Sequence, residues 1–213
     1  MRVKTEDRRL AILAAATEVF RARGYKAASM AEIAERTGGS KATLYSYFSS
    51  KDELFREVMK TQAEDRMMGA FGSLAPGADL AGTLQRFGEH YLDTILSRDL
   101  LIMRSIVMGE GPRSSMGRMF FDNGPAEGWG QLARFLEGQM QAGQLASRSP
   151  WRAALQLISL LEADYVEFFM TGLVDKPGPE RIAESVAAAL AVYLHGYGVD
   201  AAGMTSSSRE PLS

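Results

Sequence analysis

Lys41, Thr43, Tyr45, Ser46 and Tyr47 place five hydrogen-bonding side chains within seven residues, and Lys51 follows four positions later. The chemistry open to such a set is contact with a nucleic-acid duplex. Lysine and threonine can reach base edges, while tyrosine hydroxyls and a lysine just beyond a helix are suited to phosphates and so fix register. Leu44 and Phe48, four apart, would hold a helix carrying these groups against a core. Taken alone, a polar seven-residue helix also fits a solvated face of a helical bundle.

The flanking residues say what must position this helix. Ser29 is placed to cap a preceding helix, with Glu32 three residues on to complete a capping box, and Ala31, Ile33 and Ala34 supply its apolar face. Thr37-Gly38-Gly39 ends it, because glycine adopts the left-handed conformation of a helix end without steric cost. Ser40 can cap the helix Lys41 to Tyr47 at once. A connection of about three glycine-bearing residues is what a helix-turn-helix requires. Before it, Thr5 to Arg23 reads as a helix with Leu10, Leu13, Ala16 and Phe20 near the helical period and Gly24 as its end. After it, Ser50 and Glu53 repeat the start signal for a linking helix over 51–68, followed by the breakers Gly69, Gly72, Pro76, Gly77 and Gly82.

Helical periodicity continues over about 79–97, 99–109, 113–122, 125–143, 150–172 and 178–197, with no alternating strand pattern and no internal repeat, so the fold class expected is all-α. The natural division is a DNA-binding domain over 1–50, a regulatory domain over 51–198 entered by the linking helix, and a disordered tail over 199–213 that contains Gly203, three serines and Pro211.

The N-terminal stretch resembles the TetR family of bacterial transcriptional regulators. The residues that carry the likeness are Ile12-Leu13, Ala15-Ala16, Phe20, Gly24-Tyr25, Ile33-Ala34, Thr43-Leu44-Tyr45, Tyr47-Phe48, Ser50-Lys51 and Leu54-Phe55. From Leu100 to Leu161, including Phe120-Phe121-Asp122-Asn123-Gly124-Pro125 and Gly143-Gln144-Leu145, the chain is similar, more weakly, to the C-terminal domain of the AefR-like subgroup. Gly39 departs from the family, which has an apolar residue there.

The resemblance implies a homodimer on a palindromic double-stranded DNA operator. It also implies that Lys41, Ala42, Thr43 and Ser46 face bases, that Ser29, Tyr45, Tyr47 and Lys51 face phosphates, and that the capping Ser40 belongs with this DNA-binding set. By pattern alone, Ala154, Leu157, Ile158, Leu161, Tyr165 and Phe168 on one long helix, and Ile182, Val186, Ala189, Leu190, Tyr193 and Leu194 on the next, read as intramolecular core. The resemblance turns these two faces, over about 150–197, into the dimer contact. It also implies a pocket for a small effector. Twelve methionines and the aromatic residues of the middle helices could line it. The residues expected there are Phe87, Tyr91, Met103, Met108, Met119, Phe120, Trp129 and Tyr165, although such side chains also fill ordinary cores.

Composition fits this reading. Net charge is −2, yet residues 1–60 carry 12 Lys+Arg against 8 Asp+Glu, or +4, and the remainder 12 against 18, or −6. A basic head on an acidic body matches a small phosphate-neutralising module on a regulatory one, and disfavours an architectural protein that wraps DNA. Arg2, Lys4, Arg8 and Arg9 could form an arm to the backbone or remain a frayed terminus. With no cysteine, no G-x-S-x-G, no P-loop, no H-E-x-x-H and only His90 and His195, neither an enzyme, nor a metal site, nor a bound cofactor is expected. A cytoplasmic protein is expected too: Val186 to Leu194, the type of its longest apolar runs, is far short of the roughly 20 residues of a membrane helix, and MRVKTEDRRL is no signal peptide.

Overall fold

The computed structural model describes residues 5–75, 79–111, 116–122, 124–171 and 175–199, and no strand occurs among them. The helices are α1 (Glu6–Ala27), α2 (Met30–Arg36), α3 (Lys41–Tyr47), α4 (Lys51–Gly72), α5 (Leu80–Ile95), α6 (Arg98–Glu110), α7 (Met116–Asp122), α8 (Pro125–Gln141), α9 (Pro150–Glu162), α10 (Val166–Thr171) and α11 (Pro179–Tyr197). Arg2, Lys4, Pro76, Gly77 and the expected tail beyond Val199 lie outside the described residues.

The chain forms two compact units, and neither is continuous in sequence. The first joins Met1–Asp65 to Arg98–Gly124, and the second joins Arg66–Ser97 to Pro125–Ser213. The first unit therefore runs past the expected boundary at residue 50 and takes in α6 and α7. The linking helix is also longer than expected. Gly69 and Gly72 are helical, and Gly82 lies in α5, where its N–H donates to the capping Asp79.

The core of the first unit is built on three aromatic rings. Phe20 and Phe55 meet edge to face at 5.1 Å, and Tyr25 meets Phe55 at the same separation. Around them Ile12, Leu13, Val19, Ile33, Leu44 and Phe48 are buried, each contributing about 1.5–3 kcal/mol of hydrophobic stabilisation. Met103 and Val107 of α6 belong to this core, and Phe120 of α7 packs against it half-buried. Leu10 and Ala31, expected in apolar faces, are instead exposed; Val19 and Met30 fill those faces. Gly24, at φ 70°, breaks α1 where the sequence placed its end, and Ala28 N–H closes the turn on Gly24 O.

In the second unit α11 packs on α5 and α9, and α8 packs on α9. The helix expected over 150–172 is interrupted by a 3-10 turn at Ala163–Tyr165, which leaves Tyr165 fully buried with its hydroxyl donating to Ser185. The faces assigned to dimer contact need correction. Ala154, Leu157, Ile158, Leu161, Tyr165 and Phe168 are buried within the chain itself, as are Ile182, Val186, Ala189, Leu190 and Tyr193. An apolar period reports that a face is covered and does not say by what.

Candidate nucleic-acid interface

The turn before α3 is held by backbone hydrogen bonds. Gly38, at φ 62°, takes the left-handed position after α2; its N–H donates to Glu35 O at 2.9 Å and the Gly39 N–H to Ala34 O at 3.0 Å. This is the paired bonding of a Schellman end, which satisfies carbonyls that would otherwise be orphaned. It also explains how the turn stays fixed without the apolar residue the family has at position 39. Ser29 caps α2, accepting from the Glu32 N–H at 3.1 Å, but the Glu32 carboxylate pairs with Arg23 at 3.5 Å and does not complete the box. Ser40 caps α3, accepting from the Thr43 N–H at 3.1 Å.

On α3, Leu44 and the following Phe48 are each 2% exposed and face inward, while Lys41, Ala42, Tyr45 and Ser46 face solvent. The Lys41 side chain has no ion pair or hydrogen bond among the described residues, and neither do those of Arg8 and Arg36. These three cations therefore stand without internal partners among the described residues. Arg8 leans over the turn, since a Cβ added at Gly39 would collide with its guanidinium. Arg9, by contrast, is held inside the fold by Glu6 and Glu57 and lies over the Phe48 ring. The Thr43 hydroxyl is within 2.9 Å of Ser40 Oγ, and Ser46 donates to Thr43 O at 2.7 Å, so both hydroxyls start from internal partners. The Tyr47 hydroxyl accepts from the Thr5 N–H at 3.0 Å, which ties the start of α1 to the end of α3.

Lys51 sits differently from its expected phosphate role. Its ammonium donates to Tyr25 O (2.8 Å), Lys26 O (3.3 Å) and Ala28 O (3.0 Å), and lies 4.4 Å from the centre of the Tyr25 ring. A lysine has three donors, and here each has an acceptor within the protein. The Tyr25 hydroxyl donates to Asp52, and burial, followed by that bond, pushes its ionisation upward, so the phenol stays neutral.

The residues expected around an effector do not come together. Met103 and Phe120 are part of the core of the first unit, Met119 Sδ accepts from the Arg56 guanidinium at 3.2 Å, and Met108 is 57% exposed. Phe87 and Tyr91 stack at 5.8 Å in the second unit, where the Tyr91 hydroxyl donates to Glu162 at 2.6 Å, and Tyr165 is bound to Ser185. Trp129 tilts against Trp151 at 6.5 Å. What the second unit does contain is a cleft of about 480 Å³, walled by Phe71 and Leu74 on one side and by Gln131, Arg134, Phe135 and Gln139 of α8 on the other. None of the eight expected residues lines it. The signal available in the sequence was the spacing of Gln131, Phe135 and Gln139, which shares one face of a helix.

A capped helix-turn-helix with an outward polar helix, joined to a larger helical unit, defines a DNA-binding transcription regulator. Residues 12–58 match the model described as bacterial regulatory proteins, tetR family, and residues 82–199 that of the AefR-like transcriptional repressor C-terminal domain. With more than half of the chain matched, it belongs to the TetR family of transcriptional regulators. It is 40% identical over 94 residues to the HTH-type transcriptional activator FasR of Mycolicibacterium smegmatis, covering 44% of this chain and 43% of FasR. It is 37% identical over 70 residues to the HTH-type regulator YhgD of Bacillus subtilis, covering 33% of this chain and 37% of YhgD. The matches thus span less than half the length of these relatives. In structure it is similar to a TetR-family regulator from Mesorhizobium loti (TM-score 0.82, 24% identity, 93% of this chain and 100% of that one). It is similar also to the flavonoid-responsive regulator FrrA (TM-score 0.75, 30% identity, 91% and 98%). These relatives are regulators of transcription, not enzymes, and no helix among the described residues is long and apolar enough to cross a membrane.

Proposed function

We propose that this chain is a cytoplasmic repressor that binds a palindromic double-stranded DNA operator as a homodimer and is released by a small apolar or aromatic effector. The observation that carries the reading is α3 itself: a two-anchor helix whose Lys41, Ala42, Tyr45 and Ser46 face solvent, with Lys41 unpaired among the described residues. The AefR-like match supports repression, and the name of FrrA supports an aromatic effector. For the dimer, the candidate surface within 150–197 is the outer face of α11, where Ala187, Ala188, Ala191 and Val192 are exposed, along with Val166 and Met170 of α10. Contiguous exposed apolar groups of this kind mark interaction surfaces. Two-fold symmetry would then set two α3 helices one DNA turn apart, about 34 Å. Release needs little: a guest that prefers the DNA-incompetent arrangement by about 1.4 kcal/mol lowers operator affinity tenfold.

Selection from random duplexes tests this, with a palindromic site as the expected result. Lys41→Ala should relax base preference at one position per half-site, by about 1–3 kcal/mol. Binding that unrelated competitor DNA abolishes, or a monomeric mass by light scattering at micromolar concentration, would overturn the reading. The match to FasR favours activation as a second reading. Transcription in vitro from a promoter carrying the selected site separates the two, since added protein lowers the transcript in one case and raises it in the other.

A further inference from the structure

The cleft in the second unit has a composition that narrows what could occupy it. Its volume, about 480 Å³, is that of a small-molecule site. One wall is the Phe71 ring, which is 8% exposed, lies 5.3 Å from the Phe87 ring, and presses on α8 at Gly128, where any Cβ would overlap it. The ring is thus packed against both Phe87 and α8. Leu74 and Phe135 add apolar area to it. An aromatic ring in the wall of a cleft favours a planar guest that can stack on it or meet its edge.

The polar side chains are neutral amides and one cation. Gln131, Gln139 and Gln144 present amides, Arg134 presents a guanidinium, and no carboxylate lines the cleft. Gln139 is only 6% exposed, yet its side-chain amide has no hydrogen-bond partner among the described residues. That amide opens on the cleft, where it can donate to a guest oxygen. Arg134 has no ion pair among the described residues either. Its donors suit a planar anionic group that accepts in a fork. The backbone under these side chains is fixed: Gly143, at φ 73°, ends α8, with the Gln144 N–H donating to Gln139 O at 2.9 Å and the Gly143 N–H to Met140 O at 3.1 Å.

We propose that this cleft is the effector site and that its ligand is a planar aromatic carboxylic acid, with the ring against Phe71, the carboxylate on Arg134 and an oxygen on the Gln139 amide. The proposal rests on the ligand-responsive reading above. Gly138 supplies a clean probe, because it lines the cleft and a Cβ added there meets no atom within 4 Å. A side chain at this position thus starts in open space at the cleft wall, and replacing glycine inside a helix favours folding.

The test is calorimetry on the full chain with 2-naphthoate and its neutral analogue 2-naphthamide. The acid should bind one per protomer and more tightly than the amide. Arg134→Gln should weaken the acid on the order of tenfold, the loss expected for a charge-assisted bond, and the amide by less than about twofold. Gly138→Leu should abolish both without lowering the melting temperature. No saturable binding of the acid at millimolar concentration, equal affinity for acid and amide, or binding that survives Gly138→Leu would overturn the proposal. Operator binding, measured in the same samples, separates the two levels of inference. If 2-naphthoate fills the cleft but leaves operator affinity unchanged, the site stands as a ligand site and the ligand-responsive reading fails. If some other compound releases operator equally from wild type and Gly138→Leu, the responsive reading stands and the cleft is not the effector site.

Discussion

The ends of α2 and α8 use one backbone device for opposite purposes. Each helix closes in a left-handed glycine, Gly38 at φ 62° and Gly143 at φ 73°, with the same pair of hydrogen bonds back into the last turn. After Gly38 come Gly39 and Ser40, and Ser40 caps the next helix immediately, so α3 leaves the turn with its polar side chains in solvent. After Gly143 come Gln144, Leu145 and Ala146; the last two are buried, and the Ala146 N–H donates to Tyr197 O at 2.8 Å. The chain turns inward there and leaves Gln139 and Gln144 on a cleft. A helix end thus decides only where the chain turns, and the next three residues decide which surface it presents.

The two regions also differ in how they are anchored, and the largest expected effect tests that difference. The helix α3 depends on Leu44 and on Phe48, whereas α8 is seated by Leu132, Ala133 and Leu136 and packs along α9. Phe48→Ala should cost about 3–5 kcal/mol, from lost transfer energy and the cavity left behind. Urea denaturation should show it, with operator binding lost. A loss below about 1 kcal/mol would mean that α3 has other support and that the contrast in anchoring is false.

The next effect concerns Lys51, which holds the end of the first helical region by three carbonyl contacts. Lys51→Ala should cost about 1.5–3 kcal/mol, the worth of hydrogen bonds to a charged group. The slope of log affinity for DNA against log salt should stay the same. A lysine on phosphate behaves in the opposite way, leaving stability alone and reducing the slope by about one. A shallower slope with unchanged stability would return Lys51 to the interface.

Lys51 also marks the limit of what could be read in advance. The head is written locally: caps, the glycine turn and the anchors Leu44 and Phe48 all fall within about twenty residues, and each names its own backbone position. The helices of the second unit were legible for the same reason, because a 3.6-residue period is a local property. What was not legible came from long-range packing. That α6 adds Met103 and Val107 to the core of the head, that the long faces of α9 and α11 are covered within the chain, and that Phe71 meets α8 at Gly128 all depend on which separate elements of the chain pack together. Several of the methionine and aromatic residues expected at a ligand site lie in packed interior, as Met103, Phe87, Tyr91 and Tyr165 do, while Met108 is exposed. The cleft is lined instead by glutamines and an arginine that composition would assign to a solvated face.

The smallest effect is the one that bears most directly on the two turns. An alanine in the left-handed region costs about 1–2 kcal/mol relative to glycine, partly offset by about 0.4–1 kcal/mol because alanine also narrows the unfolded ensemble. Gly38→Ala and Gly143→Ala should therefore each lower stability by between about 0 and 1.6 kcal/mol, a near-identical shift in melting temperature. Their functional consequences should not match. Strain at Gly38 acts on the start of α3, so operator affinity should fall while binding in the cleft is unmoved. Strain at Gly143 acts on the carbonyl and side chain of Gln139 and on Gln144, so binding of 2-naphthoate should weaken while operator affinity without ligand holds. Both readouts are equilibrium constants on the same purified proteins, and the equal stability loss serves as an internal control for general damage. If either variant moved both readouts by the same factor, the turns would not act separately, and the difference between them would lie in how the whole chain responds instead of in the three residues that follow each glycine.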